Sequence, residues 1–426
     1  MIYNNSMQKN ILYIFLFGFM FSFAQQKKDT VVNQLDEIVL LSKSPKKFLK
    51  LPNQVEVINA KQIEFQNFQN TADLLANSGS LFVQKSQQGA GSPSIRGFEA
   101  SRVLIVVDGV RMNNLIFRSG HLQNIITVDE SILDKVAIYY GPSSTLFGSD
   151  ALGGTVSMTT KNAKFFNEVN EKISGSINTR YGSVNEEKSA AFQLNFALDH
   201  FASLTSISFN DFGDLKMGKR KNPNGDFFGE RLFYVETING TDVLTSNPNR
   251  FIQKNSAYKQ YNLMQKLAYK TNSGFEHGLN FQFSTSSNIP RYDRLTDASS
   301  TGLRNAEWYY GPQKRILAIY SLNKNKALFS SDMKLNFAYQ NVKESRHNRR
   351  FGNYNLQNRE ENVTMFSTSL DWNRKFKKGE LFYGLESYYE TVKSTAFSQN
   401  MNSGIIANLD TRYPNGDNFM IRNDLY

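Results

Sequence analysis

The sequence predicts an α+β domain followed by an antiparallel transmembrane β-barrel. Three observations carry this. An export signal opens the chain, and no later apolar stretch is long enough to span a bilayer as a helix. Residues 51–163 read as short mixed elements. Beyond about residue 171, long segments alternate apolar and polar residues, joined by short and long connections in turn.

The signal comes first. Lys9 precedes an apolar run from Ile11 to Ala24, and Ser22 with Ala24 forms a small-x-small cleavage site before Gln25. This makes residues 1–24 a secretory leader. The run falls short of the ~20 residues that a membrane anchor needs. An exported chain without apolar helices can enter a membrane only as a closed sheet.

Composition narrows the class. Mean hydropathy is −0.46, yet aromatic residues make up 13% of the 426 residues. Alternating membrane strands average out in this way. Absence of cysteine excludes disulfide frameworks, thiolate metal sites and cysteine nucleophiles. The formal charge of +11 is spread along the chain, which points to solvated loops near an anionic surface and not to nucleic acid.

Residues 25–50 are polar and Lys-rich, as expected of a flexible arm. Within it, Leu35, Asp36, Glu37, Ile38, Val39 and Leu40 form a short β-prone stretch that can add an edge strand to a partner's sheet. In the next domain, Val55 to Ile58 reads as a strand, and Asn70 caps a helix with Asp73 in its first turn. Leu81 to Val83 is a strand. Val103 to Val107 is a continuous apolar run, typical of a strand buried on both faces, and Asp108-Gly109 ends it in a turn. One or two helical turns fall at Asp129 to Leu133. Strands follow at Lys135 to Tyr140 and Thr155 to Thr160.

Residues 164–426 supply the barrel strands. Phe192, Leu194, Phe196 and Leu198 alternate with polar or small residues, as do Leu279, Phe281 and Phe283, then Met333 to Tyr339, Phe366 to Trp372 and Leu381 to Leu385. Short turns fall near Asp199, Thr271 to Gly274, Asn323 to Lys326 and Lys377 to Gly379. Long polar stretches at 210–257, 285–314, 341–362 and 394–417 then share the opposite side, as loops outside a cell do.

Four stretches of residues 51–163 carry a family resemblance. They are Thr71 to Leu75 with Leu81 to Val83; Ser92-Pro93-Ser94-Ile95-Arg96-Gly97-Phe98; Arg102 to Asn113 around Val107-Asp108-Gly109-Val110-Arg111; and Val136 to Val156, including Gly141-Pro142, Phe147-Gly148 and Gly153-Gly154. In order and spacing this resembles the plug of TonB-dependent outer-membrane receptors. Ala137 departs from the family, which usually carries an acidic residue there.

The resemblance implies a plug inside a barrel of about 22 strands. Only about nine strands and the start of a tenth are present here, so the barrel is expected to be incomplete. It implies TonB-dependent uptake of a siderophore or haem across the outer membrane of a Gram-negative bacterium. The partners would be the TonB energy-transducing complex, outer-membrane lipid and a small-molecule or haem-type ligand, with no intrinsic cofactor. Leu35 to Leu40 loosely matches the family's TonB box. Arg96, Asp108 and Arg111 are candidates for polar contacts with the lumen wall. Glycines 97, 109, 141, 148, 153 and 154, with Pro142, suit tight turns in a confined domain.

The ligand-facing candidates are Arg118, His121 and Gln123 in the loop after Phe117, with His347 in an Arg-rich loop. A neutral imidazole can hold haem iron, or it can simply hydrogen-bond within its loop. His347 equally fits a basic surface for anionic siderophores. No phosphate loop, His-Glu-x-x-His or Gly-x-Ser-x-Gly motif occurs, so the sequence argues against catalysis. The other readings are a passive porin-like or binding barrel, or a truncated, non-functional transporter.

Overall fold

The computed structural model describes residues 54–426 except 80, 117–123, 142–146, 148, 301, 328–330, 378 and 415–416. The leader, the arm with Leu35 to Leu40, and Arg118, His121, Gln123, Pro142 and Gly148 lie outside the described residues.

The first domain is built on a five-stranded mixed sheet. Its strands are β1 (Val55–Asn59), β4 (Val103–Val107), β5 (Val110–Arg111), β6 (Leu133–Tyr140) and β7 (Gly154–Thr160), in the order β1-β6-β7-β4-β5. A separate ribbon pairs β2 (Phe82–Gln84) with β3 (Ser92–Ser94). β4 lies parallel to β7 and is buried along its whole length, which is why it reads as an unbroken apolar run.

Two short helices follow from their caps. Helix α1 (Ala60–Gln66) starts in a reciprocal box: the Asn59 side chain accepts from Gln62 N at 3.0 Å, and the Gln62 side chain accepts from Asn59 N at 2.9 Å. Helix α2 (Thr71–Ala76) is capped by Asn70, whose side chain accepts from Asp73 N, and it buries Leu74 and Leu75 completely. Close backbone packing at the sheet decides Gly154. A Cβ there would stand 2.4 Å from the Tyr139 carbonyl oxygen.

The second layer is a meander of ten long strands, each antiparallel to the next. They are β8 (Ile173–Gly182), β9 (Glu187–Ala197), β10 (Phe201–Phe212), β11 (Tyr258–Lys270), β12 (Phe275–Ser286), β13 (Lys314–Lys324), β14 (Asp332–Arg350), β15 (Asn355–Phe376), β16 (Gly379–Asn400) and β17 (Asp417–Leu425). Three short strands at Ile289–Pro290, Asn305–Tyr310 and Ile406–Asn408 extend this into a 13-stranded sheet. Side chains alternate across it. On β9, Phe192, Leu194 and Phe196 are exposed, while Asn195 is buried and accepts from Lys164 N at 2.9 Å. On β10 the inward set is Ala202, Leu204, Ser206, Ser208 and Asn210.

Two of the long polar stretches are strand over much of their length. β14 and β15 run on until only residues 351–354 separate them, and β16 continues to Asn400. These strands have 19, 22 and 22 residues, whereas about 9–11 cross a bilayer. Alternation marks a strand only while one face meets lipid. Past that boundary both faces are polar, and the strand reads like a loop.

An outward face in lipid predicts a depth-dependent cost. Replacing Phe281 of β12 by Arg should destabilise the chain in phospholipid vesicles by about 2–4 kcal/mol in denaturant unfolding, and Tyr269→Arg, beside a short turn, by about 0–1 kcal/mol. Equal costs at the two positions would contradict a lipid-facing band.

Candidate functional site

The candidate site is the contact between the first domain and the inward face of the long sheet. Both lie within one compact unit, Leu40–Tyr426. Its centre is Asp108. The chain leaves β4 through a turn in which Asp108 has φ 50° and Gly109 has φ 85°, and this aims the carboxylate at the wall. Asp108 Oδ1 accepts from Thr160 N at 2.8 Å. Its Oδ2 accepts from Thr160 Oγ1 at 2.6 Å, Asn280 Nδ2 at 2.8 Å and Gln282 Nε2 at 2.9 Å. Lys266 Nζ stands 3.7 Å away and donates to the Thr160 carbonyl and to Asn162. Burial alone would raise the Asp108 pKa. The Lys266 charge and the hydrogen bonds from Thr160 and Asn280 outweigh it, so the value is lowered.

Further polar contacts run along the same seam. Asp129 caps a 3-10 turn through Ser131 N and accepts from Ser208 and Asn262 of the wall. Gln260 donates to the Ile126 carbonyl, and Arg315 to Gln282 Oε1 at 2.8 Å. Arg180 of β8 reaches the Phe68 carbonyl at 2.8 Å and Glu130 at 3.3 Å. Burial, and then the Asp129 charge, push Glu130 well above the usual carboxylate range despite Arg180.

At the end of β5, Arg111 donates to the Phe147 carbonyl and pairs with Asp150 at 3.2 Å. It lies 5.4 Å from the Tyr388 ring centroid. Asp150 also pairs with Arg422 of β17, and Gln340 of β14 donates to the Arg111 carbonyl. Apolar patches separate these contacts: Leu317, Ile319 and Ala338 of the wall close the core of the first domain, and Val363, Met365 and Val392 pack on Leu115 and Ile116.

A small sheet domain seated on the inner face of a membrane meander has known counterparts. Residues 47–155 match the family model described as TonB-dependent Receptor Plug Domain. This part of the chain is a TonB-dependent receptor plug domain. It is 32% identical over 155 residues to the heme/hemopexin utilization protein C of Haemophilus influenzae, covering 36% of this chain and 20% of that protein. It is 27% identical over 248 residues to the vitamin B12 transporter BtuB of Vibrio vulnificus, covering 58% and 33%. Its fold is similar to that of the Serratia marcescens hemophore receptor HasR, with TM-score 0.59 and 16% identity over 81% of this chain and 46% of that one. The copper transporter OprC gives TM-score 0.61 and 13% identity, with 87% and 52% covered. The chain thus spans a third or less of these two curated relatives and about half of these two solved structures.

Within this plug, the sequence candidates go to different places. Asp108 and Arg111 stand at the wall. Arg96 (φ 51°) is exposed, and its hydrogen bond goes to Gln54 at 3.4 Å, within the plug. Gly97, Gly109 and Gly141 have positive φ, and Gly153 lies against Phe98. His347 departs from the ligand-facing expectation. It lies on the outward face of β14, stacked on Tyr309 at 4.7 Å, with Nδ1 2.6 Å from Asn358 Oδ1. Period-2 alternation puts it on the face opposite its neighbour Arg346. Among the described residues no group of His, Asp and Glu side chains could hold a metal. Sequence reasoning passed over Lys266, Asn280, Gln282 and Arg315. Their signal was polar or charged side chains recurring on the face opposite the aromatic stripe.

The Asp108 seam generates a prediction with a definite sign. A lowered carboxylate pKa means its stabilisation is complete above the unfolded value, about 3.9, and is lost as pH falls through the folded one. Asp108→Asn leaves Lys266 without its buried counter-charge and should cost about 3 kcal/mol at pH 7, read by hydrogen exchange at β4 and β7 in the whole chain. The difference from the wild type should shrink only below the ordinary carboxylate range. A pH-independent difference would rule out the charge as its source.

Proposed function

We propose that the chain serves energised uptake of a scarce iron-bearing nutrient, a siderophore or haem, across the outer membrane of a Gram-negative bacterium. The observation that carries this is the Asp108 seam. The plug is held to the wall through side-chain hydrogen bonds and ion pairs that can exchange for water, interleaved with small apolar patches. Such contacts hold the plug at rest and let it shift without exposing a large dry interface. A passive pore has no use for a domain fixed across its lumen.

On this reading the periplasmic arm is the handle. Leu35 to Leu40 would pair with a TonB-type partner as an added strand, where main-chain hydrogen bonds give strength with little demand on sequence. Force on the arm would strain the plug first where its wall contacts are polar. Relatives named for heme/hemopexin utilization and as hemin receptors support the haem branch. His121 and Arg118, in the plug loop after Ile116, are proposed to face the ligand.

The test separates binding from transport. Cells expressing the protein with residues 35–40 deleted should bind iron-labelled haemin or siderophore as the wild type does, and accumulate it at least tenfold more slowly. Unchanged accumulation would sink the energised mechanism.

A further inference from the structure

On the outward face of the long sheet, the apolar stripe ends in lysines. Lys259 of β11, Lys314 of β13 and Lys343 of β14 are exposed. Each shares its face with an apolar residue nearer the short turns: Tyr261, Ile316 and Tyr339. The three lysines stand eleven, ten and eleven residues from the short-turn ends of their strands, at Lys270, Lys324 and Asp332. About 9–11 residues cross a bilayer. The three ammonium groups therefore share one level, where hydrocarbon gives way to headgroups.

Charge is not balanced at this level. Lys314 and Lys343 are direct cross-strand partners, and like charges placed opposite destabilise a sheet. On the outward face of β10 to β15 the carboxylates here are Asp211 and Glu360. Asp211 pairs with Lys259 at 3.0 Å, and Glu360 with Lys343 at 2.8 Å. Lys314 has no carboxylate partner among the described residues, and its Nζ lies 5.6 Å from the Phe283 ring centroid, at the head of the apolar stripe. Three ammonium groups against two carboxylates leave one net positive charge. Lys188 of β9 continues the row, opposite Asp211 and two residues from the exposed Glu186. Lys393 of β16 stands higher, fourteen residues from Gly379, opposite Asp417 by register. Thr285 lies opposite Lys314, and Ser287 accepts from Lys259 N at 2.8 Å, so two hydroxyl residues stand among the cations.

We propose that Lys259, Lys314 and Lys343 bind the headgroup of an outer-leaflet lipid that carries more than one phosphate. An ammonium is a compact point charge that suits a phosphate oxygen. A phosphate seated between Lys314 and Lys343 offsets the repulsion of that pair. From β11 to β14 the row crosses three strand spacings, about 14 Å, which is wider than one phosphate group. A second phosphate on the same headgroup reaches Lys259. The acyl chains lie along the stripe of Tyr261, Phe283, Ile316 and Phe337, which a freely diffusing phosphate does not use. This surface faces away from the plug, so the proposal goes beyond the uptake reading and does not depend on it.

The experiment titrates the whole chain in neutral detergent with lipid A bisphosphate, its monophosphate, phosphatidylglycerol and inorganic phosphate, and reads bound lipid by native mass spectrometry. The wild type should bind the bisphosphate about tenfold more tightly than the monophosphate or phosphatidylglycerol. The double variant Lys314→Gln/Lys343→Gln should lose that preference, while its thermal midpoint without lipid stays equal or rises because a like-charge pair has been removed. Lys219→Gln/Lys221→Gln removes the same charge from the outer loop, where the two lysines lie over Phe251 and Phe227, and should keep the preference. Equal affinity for bisphosphate and monophosphate, an unchanged preference in the first variant, or an equal loss in the second would overturn the site. So would a lowered midpoint in the first variant, which would make the lysine pair a stabilising contact of the empty sheet. Inorganic phosphate that displaces the lipid at equal concentration would overturn the lipid as its occupant.

Discussion

The Asp108 carboxylate is where three parts of the molecule meet. It ends the most buried strand of the plug, it holds Thr160 at the end of the neighbouring strand, and it receives two amides and a lysine from the wall. A buried carboxylate is tolerated only when its lone pairs are occupied and its charge is answered. Both conditions need the plug and wall in one relative position. Asp108 therefore acts as a registration point, and the left-handed turn at Asp108-Gly109 is what brings it there.

That constraint explains the two-faced character of the wall. Outward positions are filled by Phe, Leu, Ile and Tyr, which face lipid without demanding partners. Inward positions are filled by Ser, Asn, Gln, Lys and Arg, which must find partners on the plug or on each other. The plug supplies many of these through main-chain carbonyls at Ile126, Thr127 and Ser131, so its loop backbone is satisfied by the wall and not by its own sheet.

Above the lipid, different rules apply. The hairpin of Phe233–Ile238 and Thr241–Ser246 is tied down by Arg349, which pairs with Asp242 at 2.7 Å and Glu307 at 2.7 Å. Arg349 and Arg346 lie three residues apart on one strand, yet they face opposite ways. One is saturated and structural. The other faces inward, across the sheet from Arg359. Alternation thus sends a single Arg-rich stretch to both faces.

Read by itself, the sequence determined the α+β domain, the position of most of its strands, the Asn70 cap and the ten-strand meander, because each depends on local patterns: a buried apolar run, a capping side chain, a period of two. The resemblance of its motifs to a known plug also singled out Asp108 and Arg111, together with Arg96. Tertiary structure alone decided the rest. It showed that 341–350 and 355–362 are strand and not loop, since polar residues on both faces erase the period. It turned His347 outward and Arg96 toward Gln54. It joined Asp108 to residues 172 and 174 positions away and set Arg346 against Arg359, for a partner across a sheet is chosen by register, which no local pattern encodes.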